Sequence, residues 1–130
     1  MPHIHHVALW VDDLENICAF YVDAFGATVG PLYENKSRGF ASRFLSLESG
    51  ARIELMKTLM LHPVTHAQGA QRMELTHMAI SLGSEQAVDA LTDRLRTMGQ
   101  PVLDGPRRTG DGYYESVVLD PEGNRIELTV

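Results

Sequence analysis

Four side chains in this sequence, His6, Glu54, His77 and Glu127, have the chemistry to hold one metal ion. Two imidazoles and two carboxylates make a mixed nitrogen and oxygen site suited to a divalent first-row metal. His6 and Glu54 are 48 residues apart and His77 and Glu127 are 50 apart, so no local motif of the His-Glu-x-x-His kind joins them. Repetition is what singles them out. Gly50-Ala51-Arg52-Ile53-Glu54-Leu55 returns as Gly123-Asn124-Arg125-Ile126-Glu127-Leu128, identical at five of six positions. His6-Val7-Ala8-Leu9 returns as His77-Met78-Ala79-Ile80, and Phe25-Gly26-Ala27-Thr28-Val29 aligns with Met98-Gly99-Gln100-Pro101-Val102. A single strand histidine reads best as structural, and a single glutamate as the partner of a neighbour such as Arg52 or Arg125. The same pair in both copies of a repeat favours a metal site.

The elements that carry these residues follow from periodicity. Residues 6–11 alternate as a strand, with Val7, Leu9 and Val11 on one face and His6, Ala8 and Trp10 on the other. Asp13 caps a helix whose apolar stripe is Leu14, Ile17, Cys18, Tyr21 and Phe25, and Gly26 stops it. Strands are expected around 28–34, 40–48 and 51–57, with Glu48-Ser49-Gly50 as the last turn. The second half repeats the order: a strand over 75–82, a helix capped by Ser84 with Val88, Leu91, Leu95 and Met98 inward, and Gly99 at its end. Three strands then run to Val130, with Asp120-Pro121-Glu122-Gly123 as the matching turn. Each half is thus βαβββ, an α+β unit whose helix covers one sheet face. The units, about 1–57 and 74–130, are expected to form one domain joined by a linker over 58–73. Parity puts Ile53, Leu55, Ile126 and Leu128 toward the helices, and His6, Glu54, His77 and Glu127 on the opposite faces. If the units pair sheet to sheet, the four converge.

Composition bounds the function. The chain has 130 residues, 17 acidic against 11 basic, and a net charge of −6 with neutral histidines. That sign opposes nucleic-acid binding. No apolar run nears the roughly 18 residues that cross a bilayer, and the first residues lack the pattern of a signal peptide. Cys18, the one cysteine, cannot form an internal disulfide, which fits a reduced, cytoplasmic protein.

The run His-Val-Ala-Leu-Trp-Val-Asp-Asp-Leu, with Phe20-Tyr21, Phe25-Gly26 and Gly-x-Arg-Ile-Glu-Leu, resembles the vicinal oxygen chelate superfamily. His77, Gly99, Asp120-Pro121-x-Gly123-Asn124 and Ile126-Glu127-Leu128 continue the resemblance through the second half. It implies paired βαβββ modules forming an open, eight-stranded cup (the glyoxalase/bleomycin-resistance-like fold), in a homodimer. It also places the family's metal positions on His6, Glu54, His77 and Glu127, a full set similar to that of glyoxalase I. Extradiol dioxygenases and fosfomycin enzymes keep two His and one Glu, epimerases often carry Gln at the position of Glu54, and bleomycin-binding members lose the ligands. The resemblance therefore implies a lyase or isomerase of glyoxalase I or epimerase type, with one Zn, Ni, Co, Mn or Fe ion and a small acid or thioester as substrate. The ion would stabilise an enediolate, and a glutamate would move the proton as general base and then acid. Glu127 is the first choice for that base and Glu54 the symmetric alternative. The competing readings are a metal-independent small-molecule binding or resistance protein, and an Fe(II) extradiol-type dioxygenase that would tolerate loss of Glu54.

Other marked residues have plainer readings. Trp10 shares the face of His6 and is a candidate substrate wall. Many bacterial glyoxalase I sequences carry arginine there for a glutathione carboxylate, so Trp10 argues against glutathione. Arg107 and Arg108, on the Gly-rich stretch before Tyr114, could meet an anionic substrate, as could Lys36, Arg38 and Arg43. Tyr114 and Arg43 face inward or outward according to strand register. His5 shares parity with Val7 and belongs to the helix side or the strand end. His3, His62 and His66 read as solvated, with an auxiliary metal site at His62 and His66 the less favoured alternative. Cys18 reads as core filler.

Overall fold

The strand that carries His6, β1 (His6–Trp10), lies parallel to the last strand of its half, β5 (Arg52–Thr58). Parallel neighbours need a long crossover. Here it holds helix α1 (Leu14–Phe25) and strands β2 (Thr28–Val29), β3 (Tyr33–Asn35) and β4 (Phe40–Ser46). The sheet order is β1-β5-β4-β2, with β3 also paired to β4. The second half repeats it with β6 (His77–Ser81), helix α2 (Glu85–Thr97), β7 (Val102–Arg108), β8 (Tyr114–Leu119) and β9 (Arg125–Thr129). Its order is β6-β9-β8-β7, with β6 parallel to β9. The computed structural model describes residues 1–60, 67–70 and 75–130. His62 and His66 lie outside them. The chain divides into two units, Met1–Val64 and Thr65–Val130, each a mixed sheet with one helix, the α+β arrangement that the repeat predicts.

The caps are those the sequence marks. Asp13 Oδ1 accepts from Asn16 N at 3.1 Å, and Gly26, at φ 66°, closes α1 in the left-handed conformation. Ser84 Oγ accepts from Ala87 N at 3.1 Å to start α2. Ile17 and Tyr21 of α1 are buried with Val11, Leu45, Ile53 and Leu55, and Val88 and Leu95 of α2 with Val118, Ile126 and Leu128. Leu55, Leu95 and Leu128 are at 0% exposure, and burying each such side chain is worth about 1.5–3 kcal/mol. Thr92 Oγ1 and Ser116 Oγ, both buried, bond each other at 2.7 Å between α2 and β8.

The expected strand over 28–34 is instead two short pieces. Gly30 N still bonds Phe44 O at 2.8 Å, but Pro31 has no N–H to give, and the chain rejoins β4 only at Tyr33. A 3₁₀ turn, Lys36–Arg38, then leads into β4. Among the described residues, no helix is long and apolar enough to cross a membrane.

Candidate metal centre

Register places the donors. In the first unit His6 lies opposite Arg52 and Ala8 opposite Glu54; in the second, His77 lies opposite Arg125 and Ala79 opposite Glu127. Strand alternation turns both donors of each unit away from its helix. His6 Nε2 is 3.5 Å from Glu54 Oε1, and His77 Nε2 is 3.2 Å from Glu127 Oε1. The histidine side chains are 38% and 35% exposed and the glutamates 17% and 21%, so each carboxylate is sheltered and each imidazole stands at its edge. On the strand beside each glutamate the facing residue is a small one, Ala8 or Ala79.

Two ligand atoms about 2.1 Å from one ion, at angles of about 90–110°, stand about 3.0–3.4 Å apart. The His77–Glu127 pair at 3.2 Å falls within that range, the His6–Glu54 pair at 3.5 Å stands just beyond it, and the donor chemistry suits a divalent first-row ion. The structure thus brings His6 to Glu54 and His77 to Glu127, each within its own unit. Among the described residues, no three His, Cys, Asp or Glu side chains gather as a metal-holding group. Arg52 and Arg125 do not occupy the glutamates. The Arg52 guanidinium lies 4.3 Å over the Phe44 ring, and Arg125 donates to Gly69 O at 2.5 Å.

The surroundings of the two pairs differ. His6 packs edge-on against Phe44 at 5.4 Å, and His5 Nδ1 lies 2.9 Å from His6 Nδ1. His5 is therefore at the strand end, beside the donor rather than under the helix. Farther along the same face, Trp10 meets Phe40 at 6.2 Å and Phe40 meets Tyr33 at 6.0 Å, with Trp10 50% exposed. In the second unit, Glu115 lies diagonally across from Glu127 on the same face. Burial, the charge of Glu127 and a hydrogen bond to it push the Glu115 carboxyl above the usual range, against the pull of Arg107. Glu115 is not marked by the repeat, because Ser42 holds its place in the first unit. Its parity with Val117 is the signal that finds it.

The turn before β9 is built around a carboxylate. Asp120, 1% exposed, accepts from Glu122 N and Asn124 N, each at 2.9 Å, and from Asn124 Nδ2 at 2.8 Å. That tie fixes where β9 starts, and hence where Glu127 points.

The remaining candidates go elsewhere. Tyr114 faces the helix side, its hydroxyl donating to Asp89 Oδ1 on α2 at 2.5 Å. Arg43 also faces its helix, held by Glu15 at 3.0 Å and by Gly30 O at 2.9 Å. Arg107 pairs with Asp104 at 2.9 Å, and Arg108 with Glu85. Both arginines thus have acidic partners. Cys18 is buried, and burial, with Glu15 nearby, pushes its thiol pKa up, which suits a packing residue.

The sequence profile of the Glyoxalase/Bleomycin resistance protein/Dioxygenase superfamily matches residues 3–128. The uncharacterized protein YqjT of Bacillus subtilis (strain 168) is 30% identical over 96% of this chain and 96% of its own length. A glyoxylase/bleomycin resistance protein/dioxygenase domain from Frankia sp. EAN1pec superposes with a TM-score of 0.82 at 18% identity, over 100% of this chain and 98% of that one. The trypanothione-dependent glyoxalase I of Leishmania major superposes at 0.77 with 23% identity, over 99% of this chain and 86% of that one. At these identities the two solved structures speak to fold alone.

Proposed function

Because the chain belongs to the glyoxalase/bleomycin resistance protein/dioxygenase superfamily, we propose that it is a divalent-metal-dependent lyase or isomerase of glyoxalase I or epimerase type. His6, Glu54, His77 and Glu127 are its ligands. The observation that carries this reading is the same His–Glu pair, at 3.5 and 3.2 Å, in the same register of both units. A bound ion would supply a positive charge for two neighbouring oxygens of a small acid or thioester substrate. His6 and His77 serve as neutral nitrogen donors. Glu127 takes the proton from the carbon beside the carbonyl and returns it to the neighbouring carbon, with Glu54 as the symmetric alternative. Trp10 and Phe40 offer the substrate an apolar wall in the first unit, and Tyr114, turned toward α2, is left out. The working form is a homodimer in the cytoplasm.

The test pairs elemental analysis with isotope exchange. Metal-loaded protein should carry about one divalent ion per chain and should move solvent deuterium onto the carbon next to the carbonyl of a 2-oxoaldehyde–thiol adduct. Glu127→Gln should slow that exchange by about 10²–10⁴-fold. Tight small-molecule capture with no stoichiometric metal would replace this reading with a binding protein, and oxygen consumption with Fe(II) would replace it with a dioxygenase.

A further inference from the structure

The hydrogen bonds around His6 run in one direction, and a cation sets that direction. Arg52 Nη2 lies 3.1 Å from His5 Nε2. A guanidinium only donates, so His5 Nε2 is the acceptor. A neutral imidazole has one N–H and one lone pair, so the His5 proton sits on Nδ1 and is given to His6 Nδ1, 2.9 Å away. His6 Nδ1 is thereby the acceptor, its own proton sits on Nε2, and that N–H faces Glu54 Oε1 at 3.5 Å. The chain Arg52, His5, His6, Glu54 leaves no choice of tautomer at either ring.

That tautomer is the wrong one for a ligand, because the nitrogen beside Glu54 must offer a lone pair. Moving the His6 proton to Nδ1 requires His5 to accept at Nδ1 and carry its proton on Nε2, pointed at the Arg52 donors. Arg52 must then turn away. Its hold is not incidental, since its guanidinium also rests 4.3 Å over Phe44, whose ring packs against His6. The second unit differs: Thr76 precedes His77 where His5 precedes His6, and Arg125 donates to Gly69 O.

We propose that Arg52 and His5 are positioning residues that lock His6 in the Nε2–H tautomer, so that metal entry in the first unit must first break an Arg52–His5 hydrogen bond. The inference rests on the metal reading above for its consequence, but the lock belongs to the metal-free protein and is tested there.

Long-range ¹H–¹⁵N spectra of the metal-free protein at about pH 8.5, above the ordinary imidazole range, report the tautomer of each ring directly. The expected result is His5 protonated on Nδ1 and His6 on Nε2. Arg52→Met, which keeps an apolar stem against Phe44, should release both rings into mixed tautomers; Arg125→Met should leave the His77 signals where they are. Titration with Zn²⁺ or Co²⁺ should then show affinity rising by about tenfold in Arg52→Met. His5→Phe should raise it similarly with no change of charge, which separates the lock from simple repulsion by a cation. His6 found in the Nδ1–H form in the wild-type protein, or weaker metal binding in His5→Phe, overturns the proposal. Failure of every variant and the wild type to bind metal, with the expected tautomers in place, overturns the metal reading and leaves the lock standing.

Discussion

The two open sheet faces share their donors and little else. Around His6 and Glu54 stand Phe44, Trp10 and Met56; at the corresponding register positions around His77 and Glu127 stand Val117, Ser81 and Thr129. Where the second unit has Glu115, the first has Ser42. One face is aromatic and holds a histidine pair under an arginine; the other is polar and holds a carboxyl pair. The two copies thus keep the same His–Glu pair, while the rest of each face differs. On the proposed function, substrate discrimination would belong to those unmatched positions and metal affinity to the matched ones.

The comparison breaks most visibly at the turns. Asp120→Ala strips three acceptor contacts from a buried turn and should cost about 2–3 kcal/mol in denaturant unfolding. Ser49→Ala, in the first unit's turn, should cost no more than about 0.5 kcal/mol. Equal losses would mean that the two turns do equivalent work. Next in size is the matched pair. His6→Ala and His77→Ala should each weaken Zn²⁺ or Co²⁺ binding by at least the roughly 10–100-fold that outer-shell partners alone are worth, measured by calorimetry. If each variant kept half the metal at full affinity, the two pairs would be separate sites.

Glu115 gives the smallest and most diagnostic effect. Its carboxyl is raised in the folded metal-free protein, so as pH rises the unfolded chain releases this proton first and folding loses stability. The penalty is absent below the ordinary glutamate range and complete once pH passes the raised folded value. Glu115→Gln should therefore be slightly more stable than wild type near neutral pH, with the gap closing under acid. Thermal unfolding across pH measures it, and a gap that persists in acid would locate its cause elsewhere than in the burial of a charged Glu115 beside Glu127. Ser42→Glu in the first unit would ask whether a carboxyl there acquires the same behaviour beside Glu54.

How much of this could be read from residues alone depended on whether a position had a twin. The repeat exposed His6, Glu54, His77 and Glu127 together, and parity turned all four away from the helices because Val7, Leu9, Ile53 and Leu55 left no other core. Caps at Asp13 and Ser84 were legible because their chemistry is local. The interrupted edge at Pro31 was legible only in hindsight, since a strand tolerates proline at its border. Tyr114 resisted because Val117, Val118 and Leu119 are apolar in succession and give no parity, while register shifts between β7 and β8 break the count from the other side. The link from Arg52 to His5 was hidden for another reason. Strand alternation says which face a residue takes, but His5 precedes β1, and its ring is placed by side-chain hydrogen bonds that no periodicity encodes.

Parallel pairing of β1 with β5, and of β6 with β9, has a consequence for how the protein comes into being. Each histidine is made early and must wait for a glutamate almost 50 residues later in synthesis, so neither donor pair exists until its unit's last strand has docked. Closing loops of that span is entropically costly and slow compared with local contacts. The pairing is thereby tied to completion: a nascent or clipped chain lacking β9 presents the His77 imidazole without its glutamate.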